Sequence, residues 1–384
     1  MDLTILSGNL RRIRSAKNLS QAQVADAAGL SRVGYRNVES GASAPRVDTL
    51  MRVAEALGVR LDQLLAPVRT LTAVRFRAEK KMTTRGELLA DVAGWLDDYN
   101  QLEALLETEA KFAFAPVRKK LLGVARAERP RKAAELARQA VKLGDRDVIR
   151  DICGLLEDHG VKVFTPKLAS EGFFGLSVAA QDGGPAVVVN VWERLSVERW
   201  IFTAAHELGH LLLHLDAYDV AKTDEDASQE KEADTFASYF LMPQELFEKE
   251  FNEARGLPLV KLVFKLKRIF RMSWKSVLYR IASRSPDGGK LWPRFQWEYR
   301  QMTGRTLGKA DEPDGLAADD FRGEPSAKIA DEPEHLVEGD FQEDRLSRLV
   351  RRAVEAEEIS LSRAAEILRV DLATMRDISN SWVA

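Results

Sequence analysis

The chain is expected to fold as mainly α-helix with a small β-sheet, an α+β class, and three observations carry that expectation. Apolar residues recur at three- and four-residue spacing along most of the 384 residues. Ser, Gly and Pro interrupt that pattern at helix-length intervals. Only "VKVFTP" and "PAVVVNVW" have the composition of strands, with "DGG" read as a turn between them.

A chain this long exceeds one ordinary core, so several domains are expected. It is 45% hydrophobic and 30% charged, which is globular usage, and no run of about 18 apolar residues offers a membrane span. "MDLTILSGNLRRIRS" lacks the long apolar core of a secretory signal, so a cytoplasmic protein is expected. The single cysteine, Cys153, excludes an internal disulfide and any multi-cysteine zinc site. Charge is uneven: residues 1–66 carry nine Lys/Arg against six Asp/Glu, whereas residues 309–344 carry three against thirteen. One end is therefore suited to nucleic acid and the other to solvent.

Residues 1–68 read as a five-helix domain. Ile5, Leu6, Leu10 and Ile13 form one apolar stripe. Ser20 with Gln23 makes a capping box before Val24 and Ala28, Gly29-Leu30 turns the chain, and Ser31 caps the next helix. Leu50, Val53, Ala54 and Leu57 line a fourth helix, and Leu61, Leu64 and Leu65 a fifth. Two short helices about a tight Gly turn form a helix-turn-helix, whose second helix lies in the major groove. Its outward positions are read as Arg32, Tyr35, Arg36 and Asn37. Arg11, Arg12, Arg14 and Lys17 read as a mostly solvated face with one or two phosphate contacts. The stretch "LSQAQVADAAGLSRVGYRNVESGASAPRVDTLMRVAEALGV" resembles the phage-repressor-like XRE helix-turn-helix family. That resemblance implies a double-stranded DNA operator faced by Gln21 and by Ser31, Arg32, Tyr35, Arg36 and Asn37; a domain that only docks protein is the competing reading. Such proteins commonly bind as dimers, so a homodimer is expected.

Residues 69–135 read as a helical connector, in which Leu88, Val92, Trp95, Leu96, Tyr99 and Leu102 recur at helical spacing over one long helix with a wide apolar face. Trp95 and Tyr99 are core positions in this reading.

"TAAHELGHLLLH", residues 203–214, carries the chemistry. His206 and His210 are four apart, so one helix face presents both imidazoles to a single zinc ion at ~2.1 Å. Glu207 stands beside the first, placed to act as a base, in the H-E-x-x-H arrangement of zinc peptidases. His214 lies ~12 Å along the helix from His206, whereas two donors on one zinc are at most about 4 Å apart. It is therefore assigned to the helix end or to solvent. A third ligand is expected from "SQEKEADTFASYFLMP", with Ser228 as its cap. Glu230 points to the site, Asp234 orients a histidine as a supporting partner, and Glu232 remains the alternative ligand. Tyr239 and His214 are both conceivable oxyanion stabilisers.

Together "LLEDHGVKVF", "AVVVN", "RWIFTAAHELGHLLLH" and "EKEADTFASYFLMP" resemble the ImmA/IrrE family of metallopeptidases, from roughly residue 145 to 290. The resemblance implies a thermolysin-like zincin peptidase domain over 136–290 with one Zn2+ per chain. It also implies action on helix-turn-helix repressors in phage-related or stress-response switches. Many relatives carry Asn where this chain has Asp234. Cys153, in an apolar helix, reads as core, with a thiolate ligand in a latent enzyme as the competing role.

Residues 291–344 read as an acidic linker holding a duplication: "KADEPDGLAADDF" from Lys309 and "IADEPEHLVEGDF" from Ile329 repeat at a period of twenty. A repeated docking motif, or a DNA mimic over the basic domain, are the other readings. Residues 345–384 form a small helical module, with Ser360 capping its second helix, expected to pack against the body or a partner.

Three functions are compatible with these features. The first is a DNA-binding regulator with a zinc endopeptidase domain that cleaves a repressor, an antitoxin-like protein or itself. The second is a non-proteolytic regulator with a structural or degenerate zinc site. The third is the antitoxin of a toxin–antitoxin pair.

Overall fold

Side-chain caps set the first helix boundaries. Ser20 Oγ accepts from Gln23 N at 3.2 Å while Gln23 Oε1 accepts from Ser20 N at 2.8 Å, and Ser31 Oγ accepts from Gly34 N at 3.0 Å. These caps start α2 (Gln21–Ala27) and α3 (Arg32–Glu39), between α1 (Leu3–Ala16), α4 (Val47–Ala56) and α5 (Leu61–Leu65). The computed structural model describes residues 3–17, 19–65, 70–78, 85–170, 172–220, 226–308, 310–321 and 331–382. They fall into two compact units, one within 1–71 and 82–101, the other within 72–81 and 102–384.

In the first unit Leu6, Leu10, Ile13, Val24, Leu50, Val53, Leu57 and Leu64 close a core around Tyr35. Asn9 donates across it to Leu64 O at 3.0 Å. The long helix α6 (Arg85–Leu105) buries Val92, Trp95, Leu96 and Tyr99, with Trp95 edge-on to Tyr99. Arg14 is no solvated cation: it forms a two-pronged ion pair with buried Glu39 at 2.6 and 2.9 Å.

The second unit holds a four-stranded sheet in the order β1-β3-β4-β2, made of β1 (Val74–Ala78), β2 (Lys162–Phe164), β3 (Phe173–Val178) and β4 (Ala186–Val189). β3 is antiparallel to both β1 and β4, and β2 is parallel to β4. The expected strands at 162 and 186 are present, but "DGG" joins β3 to β4 rather than β2 to β4. β3 is buried along its whole length and so shows none of the alternation that marks a half-exposed strand. β1 opens a stretch expected to be helical.

Three helices lie between α6 and β2 in the chain: α7 (Ala115–Lys120), α8 (Arg129–Ala140) and α9 (Ile152–Asp158). The central helix α10 (Val197–Leu213) starts on Ser196 and is buried on nearly every side, as its apolar sequence requires. It packs between the sheet and α11 (Ala227–Leu241). The cap of α11 is Asp226, which accepts from Ser228 N and Gln229 N; Ser228 itself instead accepts from Arg126. Then follow α12 (Gln244–Glu253), α13 (Leu259–Phe270), α14 (Trp274–Ala282) and α15 (Leu291–Thr303).

The acidic duplication is not a solvated linker. Leu316 and Leu336, equivalent in the two copies, are both buried. Each copy sets its acids on cations of α13 and the turn after it: Glu312 on Lys267 and Asp320 on Lys261 from the first, Glu332 and Asp340 on Arg271 from the second. Phe341 packs edge-on against Trp200 of α10. The C-terminal helices are α16 (Arg345–Glu355), α17 (Leu361–Leu368) and α18 (Leu372–Ser381). Ser360 caps α17 as expected. Glu157 accepts the backbone N–H groups of Asp344 and Arg345 and so ties α16 to α9. No helix among the described residues is long and apolar enough to cross a membrane.

Candidate metal centre

The four-residue spacing on α10 brings His206 Nε2 and His210 Nε2 to 2.9 Å from each other, both fully buried. One turn into α11, Glu230 meets them, Oε2 lying 3.1 Å from His206 Nε2 and Oε1 3.2 Å from His210 Nε2. Among the described residues these three form the one group of His, Cys, Asp and Glu side chains converging as metal donors. All three separations are below the roughly 4 Å that two donors to one zinc can span.

The outer ring nitrogens show that the donors face the right way. His206 Nδ1 lies 2.8 Å from Asp234 Oδ1; a carboxylate only accepts, so Nδ1 carries the proton and Nε2 presents a lone pair. His214 Nε2 lies 3.0 Å from Glu232 Oε2 and must donate to it. Its Nδ1, 2.9 Å from His210 Nδ1, then accepts the His210 proton, and His210 Nε2 is left basic as well. Burial lowers the pKa of both His210 and His214, keeping the rings neutral. Two imidazole lone pairs and a carboxylate thus converge in a buried space, a repulsive arrangement unless a cation joins them. The residues present fit a zinc ion.

Close approach of α10 and α11 depends on Gly209: a Cβ there would lie 2.9 Å from Phe236 Cδ1. Gly175 on β3 plays the matching part toward the sheet, where a Cβ would fall 2.7 Å from both Thr203 Cγ2 and Val188 O, beside Glu207. Glu207 is fully buried, and its Oε2 accepts from Ser177 Oγ at 2.8 Å, which in turn accepts from Tyr218 Oη at 2.7 Å. Neither Ser177 nor Tyr218 is legible in the sequence, because no spacing links β3 or the turn after α10 to the histidine helix. The same holds for Arg75, on β1. It donates to Glu230 Oε1 at 2.9 Å and also to Gln229.

The structure places the other expected residues variously. His214 ends α10 as expected, but its side chain is buried against His210 and Glu232, not in solvent. Glu232 is therefore engaged by His214 and by Arg126 rather than by the donor cluster. Tyr239 lies under the guanidinium groups of Arg280 and Arg131. Cys153 is core, its thiol pushed up by burial and by nearby carboxylates. In the first unit Arg32 and Arg36 are exposed on α3, Ser31 is its exposed cap, and Asn37 and Gln21 are half-buried. Gln21 donates to Glu39. Tyr35 is a correction: it is fully buried, since an aromatic one turn before Val38 continues the apolar face of an eight-residue helix. Val33, 64% exposed, takes an outward place instead.

Residues 156–282 match the IrrE N-terminal-like domain family, a metallopeptidase-like domain, and residues 10–64 match the helix-turn-helix family. The chain is similar to the cryptic phage CTXphi transcriptional repressor RstR of Vibrio cholerae, 41% identical over 13% of this chain and 46% of that protein. It spans about half the length of that relative. It is also similar to the uncharacterized HTH-type transcriptional regulator YqaE of Bacillus subtilis, 32% identical over 27% of this chain and 88% of that protein. The SPbeta prophage-derived uncharacterized HTH-type transcriptional regulator YonR of the same organism is 30% identical over 25% of this chain and 85% of that protein.

Proposed function

The chain belongs to the HTH-type transcriptional regulators, with an IrrE N-terminal-like domain behind its helix-turn-helix, and on that premise we propose a DNA-binding regulator whose second domain is a zinc-dependent endopeptidase. Its substrate class is a repressor or antitoxin-like protein. The observation that carries the peptidase half is the convergence of His206, His210 and Glu230 beside a buried, hydrogen-bonded Glu207.

Bound by those three side chains, zinc supplies Lewis acidity toward a scissile carbonyl and toward water. Glu207 is the general base. With Oε2 held by Ser177, its carboxylate takes a proton from the attacking water at Oε1 and delivers it to the amine as the C–N bond breaks. Ser177 and Tyr218 fix the carboxylate's orientation. Asp234 and the His214–Glu232 pair hold the two imidazoles in the tautomer a metal requires.

For the DNA half, α3 offers Arg32 and Arg36 with Val33 on its exposed side, a mixture suited to phosphates, base edges and a thymine methyl. Pairing as a homodimer on a two-fold operator belongs to the same proposal.

The test compares cells expressing the wild type or Glu207→Gln by mass spectrometry of new protein N-termini, with zinc content measured on both purified proteins. New N-termini seen only with the wild type, at equal zinc content, are expected. The same N-termini from both proteins would remove proteolysis from the function and leave a DNA-binding regulator.

A further inference from the structure

Strand β1 lies outside the matched IrrE-like segment, yet it occupies the edge of the sheet nearest the chemistry. The strand it covers is β3, which carries Ser177, the residue holding Glu207. The register sets Arg75 directly opposite Ser177. From there the Arg75 side chain reaches α11 and binds both Gln229 and the metal-donor candidate Glu230. One strand therefore touches both walls of the site. Its entry is tied down by Asp182, whose carboxylate accepts the N–H groups of Thr72 and Ala73, and by Val220 N, which donates to Thr72 O.

A sheet edge is a template for any extended backbone, and recognition by strand addition takes its affinity from main-chain hydrogen bonds. A five-residue edge strand is also among the cheaper parts of a fold to open. Resting on the peptidase reading above, in which an extended substrate segment lies along the outer edge of β3, we propose that β1 fills this place in cis as a built-in substrate mimic. A segment added in the same register runs past Ser177 and Glu207, with the side chain at the Arg75 position directed to Glu230. The edge cannot hold both strands, so the site works only when β1 is displaced. Gln229 and Glu230 further favour a basic residue at that substrate position.

The pairing supplies its own lock. Ala179 N donates to Ala73 O, which makes 73/179 a hydrogen-bonded pair. Val74 and Val178 then form the closer non-hydrogen-bonded pair, with Cα atoms ~4.5 Å apart, within the range a disulfide bridges. The experiment uses the full chain carrying Val74→Cys and Val178→Cys, with Arg75→Ala to loosen β1. A fluorescent peptide of residues 70–78 is titrated by anisotropy against this one protein, reduced and oxidised, with zinc content recorded for each. The reduced form is expected to bind the peptide at least about tenfold more tightly than the oxidised form. Equal binding in the two states, or binding in neither, overturns the proposal. Because cleavage is not read, redox-dependent capture by a protein that holds no zinc would sink the peptidase reading while sustaining the strand exchange.

Discussion

Gly209→Ala should weaken zinc binding at the proposed site while leaving the chain folded. The new Cβ would lie 2.9, 3.2 and 3.3 Å from Cδ1, Cγ and Cβ of Phe236. Carbon atoms pack at about 3.5–4.0 Å, so α10 and α11 must part by roughly 0.5–1 Å or the ring must move. The ring has little room, being fully buried and stacked on Phe240 with centroids 5.4 Å apart. Overpacking of this kind costs about 1–3 kcal/mol, and replacing a helical Gly by Ala returns about 1 kcal/mol. The net destabilisation is thus ~0–2 kcal/mol, which a folded domain tolerates. The donor set tolerates less, because ligand distances hold to about 0.2 Å and Glu230 shares its helix with Phe236. Zinc affinity should fall by at least about tenfold, within the 10–100-fold range typical of supporting residues. Competition against a chromophoric chelator measures the affinity, and thermal unfolding of the metal-free proteins measures the stability. A variant with wild-type zinc affinity would refute the claim that this helix contact sets the donor geometry.

Three further outcomes are expected. Tyr35→Ala should destabilise the first unit by about 3–5 kcal/mol, as core aromatic truncations do, whereas exposed Arg36→Ala should weaken operator binding with stability changed by no more than about 0.5 kcal/mol; denaturant melts and DNA titrations separate the two, and reversed effects would return Tyr35 to the DNA face. His214→Ala should lower zinc affinity 10- to 100-fold without touching the metal, and an unchanged affinity would show that the His210–His214 contact is incidental. Burial pushes Glu157 from 4.5 to about 7; the folded chain therefore holds that proton more tightly, and the stability so contributed is full below about pH 4.5 and lost as pH rises through about 7. The loss is on the order of 3 kcal/mol, and Glu157→Gln should flatten that part of the stability-versus-pH curve; parallel curves would contradict it.

The parts legible in the sequence were those that one helix can express. His206 and His210 announce themselves by spacing, and Glu230 with Asp234 by the same rule on a second helix, so the donor cluster needs only that two helices meet. Ser177, Tyr218 and Arg75 reach the site from a strand, a turn and a sheet edge, through pairings that no local period records. Tyr35 failed differently: an aromatic with a polar tip fits either side of a short amphipathic helix, and only the neighbours in the core decide. The acidic duplication misled because its charge suggests solvent, while the one buried Leu in each copy determines where it lies.

Those two copies also bear on what counts as the boundary of this domain. The family match ends at residue 282, but buried side chains continue through Phe295, Tyr299, Leu316, Leu336 and Phe341. Here the second copy took new seats, Arg271 and Trp200, beside those the first holds on Lys261 and Lys267. Residues of both copies thus pack with the core that buries the histidine helix. In this chain the buried core runs further along the sequence than the family match, so a chain cut at residue 282 would lose part of the core that surrounds its histidine helix.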